Sequence, residues 1–412
     1  MTRTTSQKVV TILSLGSTLA AAKEWNSTTH ATPEKITLSA LNIEPGSVTV
    51  SGLSSGGFMS VQMHVAYSSL VSGVGVFAGG PYYCAQDDLM VAEEQCMYGL
   101  MGGPQTSKLI SYAEDQAALG HIDATSNLAG AKVYVFSGSK DTTVKPSVVK
   151  TLEPFYSAFN TAPLETEYTI EAQHCIPTLD YGETCGVKAS PYIGKCGYAG
   201  AGHAFQTLYG SSLTAGTAKQ SNLFEFDQTE FFTGTQTSLN EFGYIYIPSA
   251  CQDGSTSCRL HMSYHGCLQD YDDIGDVWAE DAGYNDWAEE NNIVVVYPYV
   301  KADLKMGNGN ACWDWWGYTD ADYVLKSGVQ MAFSKKVLDA IIGDSFDTDD
   351  DTVPATDDGP STTDDTVTTD DDDNSTPEKI TLSALNIEPG SVTVSGLSSG
   401  GFMSVQMHVA YS

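Results

Sequence analysis

Residues 47–60, SVTVSGLSSGGFMS, decide the fold that this sequence predicts. Alternating apolar and polar residues at 48–50 predict a strand, and apolar periodicity from residue 58 to about residue 70 predicts a helix. The intervening GLSSGG, residues 52–57, predicts a tight turn. A G-x-S-x-G pattern in this setting is typical of a nucleophile elbow, whose glycines let strand and helix approach closely while the serine hydroxyl stays exposed. Ser54 is therefore the candidate nucleophile, and the alternative is an ordinary strand-to-helix turn.

The composition is that of a folded chain with a strong acidic charge. The 412 residues are 42% hydrophobic, which suffices for one large domain or two ordinary ones. There are 19 basic and 51 acidic residues, a net charge of −32. This charge argues against nucleic acid or an anionic membrane surface as a partner.

The first 22 residues carry the pattern of a secretory signal. Arg3 and Lys8 precede an apolar run that ends in three alanines at positions 20–22. No later stretch reaches about 18 apolar residues, so we expect a secreted, extracellular protein without a membrane span. The glycosylation sequons at Asn26 and Asn374 fit a eukaryotic secretory route.

Nine cysteines in an exported chain favour disulfides over metal ligands. Neither a C-x-x-C pair nor H-E-x-x-H occurs, so we predict no metal site. Short sequence separations favour the pairs Cys84 with Cys96, Cys185 with Cys196, and Cys251 with Cys258, and pairing Cys267 with Cys312 would leave Cys175 odd. The sequence alone leaves this connectivity open.

Strands and helices alternate after the elbow, which indicates an α/β sheet. We predict strands at 71–80, 131–138 and 167–172, a helix at 105–119, and a helical segment ending near residue 160. Reactive groups collect at the carboxyl ends of strands in such sheets. Asp141 follows the strand at 131–138, and His174 follows the strand predicted at 167–172.

A serine, an aspartate and a histidine in that order match the chemistry of a serine hydrolase. A serine hydroxyl becomes a useful nucleophile when a neutral imidazole accepts its proton, and a buried carboxylate orients that imidazole. The order Ser54, Asp141, His174 is that of α/β-hydrolases. The alternatives are that Asp141 is a turn or cap residue and that His174 is an unrelated member of the eight histidines.

The second half of the chain predicts further strands at 242–247, 259–264 and 293–300, and helices at 276–291 and 327–342. The strand at 259–264 runs into His265-Gly266-Cys267. Such an HG turn is typical of the hydrolase strand whose backbone N–H, together with the amide of Ser55, faces the developing oxyanion. The alternative is an ordinary strand-end turn with His265 buried for structural reasons.

Three tryptophans lie within four residues of one segment, CWDWWGY at 312–318. Exposing Trp313, Trp315 and Trp316 to water is unfavourable, so core or loop packing is one interpretation. The other is that they wall a binding cleft for an apolar or sugar-like substrate. The sequence does not choose between the two.

The motifs together resemble one enzyme family. GLSSGG, SGSKDTTV, HCIPT, SPYIGKCGYAGAG, YHGCLQ and CWDWWGY occur in this order between residues 36 and 343, and the chain resembles the secreted poly(3-hydroxybutyrate) depolymerases of fungal type. The resemblance implies a single-domain, circularly permuted α/β-hydrolase with a mixed, mostly parallel sheet. Its broader relatives include feruloyl and acetylxylan esterases.

The resemblance also implies roles for individual residues. Ser54 would be the nucleophile, Asp141 the orienting acid and His174 the general base. The amides of Ser55 and Cys267 would form the oxyanion hole, and the tryptophan-rich segment would help to line a polymer crevice. Cys175, directly after the histidine, is a departure from the family pattern, as is the lack of a recognisable polymer-binding module.

The catalytic domain predicted at 23–343 is followed by two unusual segments. Residues 344–373 hold 13 Asp and no Lys or Arg, which predicts a disordered linker over 344–375. Residues 376–412 then repeat residues 32–68 without a substitution, so Ser54 recurs as Ser398. We expect the first copy to occupy the fold, because it alone continues into the next strand; the alternative is a recent recombination or a gene-model error.

The sequence thus predicts a secreted, monomeric serine esterase that acts on an extracellular polyester or its oligomers. It is expected to need no metal or cofactor. The second hypothesis is a feruloyl or acetylxylan esterase of the plant cell wall. The third is a catalytically silent secreted binding protein that keeps the fold and the aromatic segment.

Overall fold

The structure is a computed structural model that describes residues 32–343. The predicted signal at 1–22, the linker at 344–375 and the repeat at 376–412 lie outside these residues, and so do the first nine residues of the predicted catalytic domain. Within 32–343, every helix is too short or too polar to cross a membrane.

The described residues contain twelve strands and ten α-helices. The strands are β1 (Glu34–Ile36), β2 (Thr49–Leu53), β3 (Gly73–Phe77), β4 (Lys132–Phe136), β5 (Glu165–Glu167), β6 (Ile176–Thr178), β7 (Glu183–Thr184), β8 (Ile193–Lys195), β9 (Leu223–Asp227), β10 (Phe242–Tyr246), β11 (Arg259–Tyr264) and β12 (Ile293–Tyr297). The helices are α1 (Ser55–Ala66), α2 (Leu89–Val91), α3 (Thr106–Ala118), α4 (Pro146–Val149), α5 (Leu152–Ser157), α6 (Gly200–Tyr209), α7 (Tyr271–Ile274), α8 (Val277–Asp281), α9 (Asn285–Asn291) and α10 (Val329–Ile342). A π-helical turn, Ala92–Met97, extends α2.

Nine of the strands form one mixed sheet in the order β1-β9-β10-β12-β11-β2-β3-β4-β5. Only β10 runs antiparallel to its neighbours, β9 and β12; the other pairs are parallel. The elbow strand β2 lies between β11 and β3, near the middle, and all five of its residues are buried. The predicted α/β fold with a mostly parallel sheet is confirmed.

The apolar runs of the sequence explain why these strands are central. Val294, Val295 and Val296 of β12 are fully buried, as a strand covered on both faces requires. Helix α1 packs on β2 and β3, while α6 packs on β3 and β4. The elbow therefore joins a fully buried strand to a helix that is buried along its whole length.

One strand prediction was wrong in a way that matters for the site. Strand β5 ends at Glu167, so residues 168–172 are not a strand and His174 does not follow a strand end directly. The Glu167 carboxylate accepts hydrogen bonds from the backbone N–H groups of Thr169 (2.5 Å) and Ile170 (3.3 Å). This side-chain turn ends the strand, and a loop carries the chain on to His174.

Other differences concern breaks and elements that the sequence patterns did not reveal. The helix predicted at 276–291 is split into α8 and α9 around Gly283, which has φ +90°. The segment predicted to be helical up to residue 160 contains two short helices, α4 and α5. Strand β9, helix α6 and a small parallel sheet in the order β6-β8-β7 were not predicted.

The elbow glycines are required by close backbone contact. A Cβ on Gly52 would lie 2.4 Å from the carbonyl oxygen of Gly56, and a Cβ on Gly56 would lie 2.2 Å from that of Tyr264, at the end of β11. Real Cβ atoms do not approach carbonyl oxygens this closely, so helix α1 can start here only without side chains. Ser54 itself has φ +57°, the strained conformation of a nucleophile elbow.

We expect Gly56→Ala to destabilise the protein by about 1–3 kcal/mol or more, because the added methyl must push β11 and α1 apart. Gly186→Ala is the matched control, since its Cβ would meet only one atom within 4 Å, at 3.8 Å. Chemical denaturation of both variants measures the free energy of unfolding. Equal stabilities would contradict the close approach described here.

Three buried histidines make the fold sensitive to acid. Burial lowers the pKa of His64 and His261 to about 3 and that of His265 to about 4. These side chains stay neutral in the folded protein at a pH at which the unfolded chain binds protons, that is, below about 6.5. Stability contributed by each neutral histidine is present above pH 6.5 and is lost as the pH falls towards its folded pKa.

His64→Phe should therefore flatten the pH dependence of stability. We expect the slope of the unfolding free energy between pH 6 and pH 4 to fall by about 1.4 kcal/mol per pH unit, the contribution of one proton. Loss of the hydrogen bond between His64 Nδ1 and the Tyr156 hydroxyl (3.0 Å) shifts the whole curve without changing this slope. Denaturation of wild type and His64→Phe at several pH values measures the slope. Identical slopes for the two proteins would refute the neutral state of His64.

Candidate active site

Ser54 lies at the junction of β2 and α1, where the chain turns sharply. Its N–H donates to the carbonyl oxygen of Phe77 at the end of β3 (2.9 Å), and its carbonyl accepts from Phe58 N–H (3.0 Å). These bonds fix the backbone on both sides of the half-buried side chain. The side chain lines a cavity of about 400 Å³.

Asp141 uses its two carboxylate oxygens for different partners. Oδ1 accepts from the N–H groups of Thr143 (2.7 Å) and Val144 (3.1 Å), which closes the turn after β4. Oδ2 lies 2.8 Å from Nδ1 of His174. The side chain is fully buried. The turn interpretation is therefore correct, and the same geometry orients the carboxylate towards the histidine.

His174 sits on the loop between β5 and β6, and the small sheet supports this loop. Gln173 N–H donates to Cys185 O (2.8 Å), and Ile176 N–H donates to Tyr192 O (3.0 Å). His174 lines the same cavity as Ser54. The structure thus brings Ser54, Asp141 and His174 to one site, although the loop, rather than a strand end, carries the histidine.

The two predicted oxyanion amides lie on the two chain segments that meet beside Ser54. Ser55 is the first residue of α1, where the positive end of the helix dipole favours negative charge. Cys267 lines the cavity, and its neighbour Gly266 would place a Cβ 3.3 Å from Ser54 Cβ. Within residues 32–343, neither amide N–H donates a hydrogen bond.

The tryptophan segment contributes to both the core and the cavity. Trp315 and Trp316 line the cavity, and Trp315 stacks on Phe58 with ring centroids 4.2 Å apart. Trp313 is fully buried against Tyr264 and does not reach the cavity. Its predicted place in the substrate site is wrong, because its ring fills the space behind the β11 end.

A buried carboxylate that sequence reasoning missed organises the tryptophan segment. Asp314 Oδ1 accepts from the N–H groups of Trp316 (3.2 Å), Gly317 (2.7 Å) and Tyr318 (3.1 Å), and Oδ2 accepts from Thr319 N–H (2.8 Å). Burial raises the pKa of Asp314 to about 6. The sequence did contain a signal for this role. An aspartate between tryptophans is expected to be buried, and a buried carboxylate needs hydrogen-bond donors such as backbone N–H groups.

The three disulfides that short separations favoured are confirmed, and the structure also pairs Cys267 with Cys312, which the sequence left open. Disulfides join Cys84 with Cys96, Cys185 with Cys196, Cys251 with Cys258, and Cys267 with Cys312. The last disulfide ties the segment after β11 to the tryptophan segment, and both of its cysteines line the cavity. Cys175 is the free cysteine; it is buried, burial raises its pKa to about 12, and it does not line the cavity.

Several other cavity residues carried no motif and were not predicted. Leu89 and Met97, from the α2 segment, form part of the wall with Tyr192 and Gln269. Leu89 leaves 53% of its surface exposed. Among residues 32–343, no group of three or more histidine, cysteine, aspartate or glutamate side chains could hold a metal ion.

Comparison with known proteins yields relatives that are named as depolymerases of hydroxyalkanoate polyesters. No family model matches the chain. The chain is 43% identical over 311 residues to the poly(3-hydroxybutyrate) depolymerase of Delftia acidovorans, which covers 74% of this chain and only 62% of that protein. It is 38% identical over 314 residues to the polyhydroxybutyrate depolymerase of Talaromyces funiculosus, covering 72% of this chain and 89% of the relative.

Solved structures agree with the sequence relatives. The crystal structure of the PHB depolymerase from Penicillium funiculosum matches with a TM-score of 0.69 and 36% identity, over 75% of this chain and 99% of that one. A serine-to-alanine PHB depolymerase variant complexed with an R3HB trimer matches with a TM-score of 0.68 and 35% identity, over the same shares. The resemblance that the motifs predicted is confirmed: this chain belongs to the family of poly(3-hydroxybutyrate) depolymerases.

Proposed function

We propose that this protein is a secreted serine esterase that hydrolyses a poly(3-hydroxybutyrate)-like polyester or its oligomers through an acyl-enzyme. The observation that carries the proposal is the buried Asp141–His174 pair, 2.8 Å apart, beside a cavity that the elbow residue Ser54 also lines. A serine on a strained turn, an imidazole and an orienting carboxylate supply the parts that nucleophilic ester hydrolysis needs.

The geometry supports the following sequence of steps. Ser54 Oγ attacks the ester carbonyl while His174 Nε2 accepts the hydroxyl proton, and Asp141 holds Nδ1–H and stabilises the imidazolium. His174 then gives the proton to the departing alcohol oxygen, which leaves an acyl group on Ser54. Water then attacks the acyl carbonyl while His174 takes one of its protons. The bond from the acyl carbon to Ser54 Oγ breaks, His174 returns the proton to Ser54 Oγ, and the acid leaves, so the enzyme returns to its first state.

The amides of Ser55 and Cys267 are proposed to bind the oxyanion in both halves of the reaction. Each N–H lacks a partner within residues 32–343, and each belongs to a residue adjacent to the Ser54 side chain or its cavity. Fixed backbone dipoles at that place stabilise the negative charge that develops on the carbonyl oxygen.

The cavity fits a short, apolar ester chain. Trp315, Phe58 and Leu89 supply an apolar wall, while the backbone of the segments 266–269 and 307–310 supplies polar groups. The relatives are named for poly(3-hydroxybutyrate) and one neighbour holds an R3HB trimer, which supports hydroxybutyrate units as the substrate here. Secretion follows from the signal pattern at 1–22, and we retain the expectation of a monomer.

A substrate panel tests this proposal. We expect the protein to hydrolyse 3-hydroxybutyrate oligomers at least tenfold faster, in kcat/KM, than feruloyl esters or acetylated xylan. Ser54→Ala should lower kcat/KM by about a millionfold, because it removes the nucleophile.

The contradicting outcomes separate the alternatives. Preference for feruloyl or acetyl esters would establish the plant-cell-wall esterase instead. A folded protein that hydrolyses none of these esters and is not labelled by a fluorophosphonate would be the silent binding protein.

The role of the repeated segment is tested by deletion. We propose that Ser54 is the working serine and that Ser398, in the identical repeat, is dispensable. Deletion of residues 344–412 should leave kcat/KM within about twofold, because the cavity-lining residues described above precede residue 344. Loss of activity in the folded deletion variant would contradict this assignment.

A further inference from the structure

The carbonyl of the peptide unit between Gly266 and Cys267 is anchored by a buried imidazole. Gly266 O lies 2.7 Å from His265 Nδ1, and His265 Nε2 accepts a hydrogen bond from Val300 N–H (3.3 Å). A ring nitrogen that accepts from an N–H carries no proton, so the proton is on Nδ1 and the ring donates it to Gly266 O. Both nitrogens are thereby occupied.

The imidazole has no freedom to change this arrangement. His265 is fully buried, with its ring 5.0 Å from that of Tyr299 and 5.8 Å from that of Trp313. Its lowered pKa, caused by burial, keeps it neutral at physiological pH. His265 therefore cannot act as an acid or base on a substrate, and an anchoring role is what its contacts allow.

Anchoring this carbonyl also fixes the direction of the Cys267 amide. In a trans peptide unit, the C=O and the N–H point in opposite directions. Because Gly266 O is directed at His265, the N–H of Cys267 is directed away from the imidazole. Cys267 lines the cavity that holds Ser54, and no acceptor within residues 32–343 takes this N–H.

A second buried side chain holds the other side of Gly266. Its N–H donates to Gln269 Oε1 (2.7 Å), and Gln269 Nε2 donates to the carbonyl oxygen of Pro191 (2.7 Å). Gly266 is thus held at both its N–H and its C=O, while the next N–H in the chain remains free. This pattern is expected where one donor must be kept in a fixed position for a reacting atom.

We infer that His265 is a positioning residue for the oxyanion hole: its Nδ1–H fixes and polarises the Gly266–Cys267 peptide so that the Cys267 N–H faces the oxygen that becomes negative at Ser54. This inference rests on the proposed function. A hydrogen bond to the carbonyl of a peptide also strengthens its N–H as a donor. The effect should appear in the transition state and not in substrate binding.

Two matched variants separate positioning from packing. In His265→Asn, the side-chain amide nitrogen lies where Nδ1 was, so the bond to Gly266 O is kept and the bond from Val300 N–H is lost. His265→Gln places its amide near the former Nε2, so it keeps the Val300 bond and loses the one to Gly266. Each variant loses one buried hydrogen bond, so we expect similar decreases in melting temperature.

The kinetics should nevertheless differ. Removing one oxyanion donor costs about a hundredfold to a thousandfold in kcat, and a misdirected donor costs part of that. We expect His265→Gln to lower kcat by about tenfold to a hundredfold with KM unchanged, and His265→Asn to stay within about threefold of wild type. The Ki of a tetrahedral boronate inhibitor should rise in His265→Gln by the factor by which kcat/KM falls.

The outcomes are distinguishable. Active wild type with equal losses of kcat in both variants, or with none, overturns this inference alone. Wild type that hydrolyses no ester overturns the proposed function and this inference together. Should His265→Gln not fold, ¹⁵N chemical shifts of the wild-type imidazole decide: a protonated Nδ1 and bare Nε2 support the inference, and the other tautomer refutes it.

Discussion

The close approach of the elbow to the end of β11 is the constraint on which the site depends. Gly56 touches the Tyr264 carbonyl so closely that no side chain fits, and Gly266, two residues beyond Tyr264, packs against Ser54. One contact therefore sets the distance between Ser54, the proposed nucleophile, and the Cys267 amide. Local backbone strain at Ser54 is compatible with folding because the buried β2 and α1 hold it from both sides.

Two further restraints hold the tryptophan segment in place beside the cavity. The Cys267–Cys312 disulfide joins the segment after β11 to the tryptophan segment, and Asp314 gathers the backbone of the latter around its carboxylate. His174 is held differently, by the small sheet and its Cys185–Cys196 disulfide. The proposed catalytic groups, from distant parts of the chain, thus have separate structural supports that meet at Ser54. Preorganised electrostatic catalysis requires such an arrangement.

Much of this arrangement was predictable from local patterns. The elbow, strands β3, β4, β11 and β12, and helices α3 and α10 follow from periodicity and turn residues, and the short separations favoured three of the four disulfides. The predictions failed where contacts with distant residues or side-chain hydrogen bonds determine the burial of a side chain or the end of a strand. Trp313 and Trp315 lie two residues apart, and Trp313 is in the core because its ring packs against that of Tyr264. The hydrogen bonds of Glu167 that end β5 are a side-chain choice that strand patterns do not record.

The measurement that tests the central claim most directly is acid-quenched trapping of the acyl-enzyme, followed by tryptic digestion and mass spectrometry. The two copies of the elbow are distinguishable, because trypsin releases the first within residues 36–108 and the second within residues 380–412. The account predicts a 3-hydroxybutyryl group on Ser54, in the peptide 36–108. An acyl group on the peptide 380–412, or a full burst of product with no acyl group on either peptide, would contradict it.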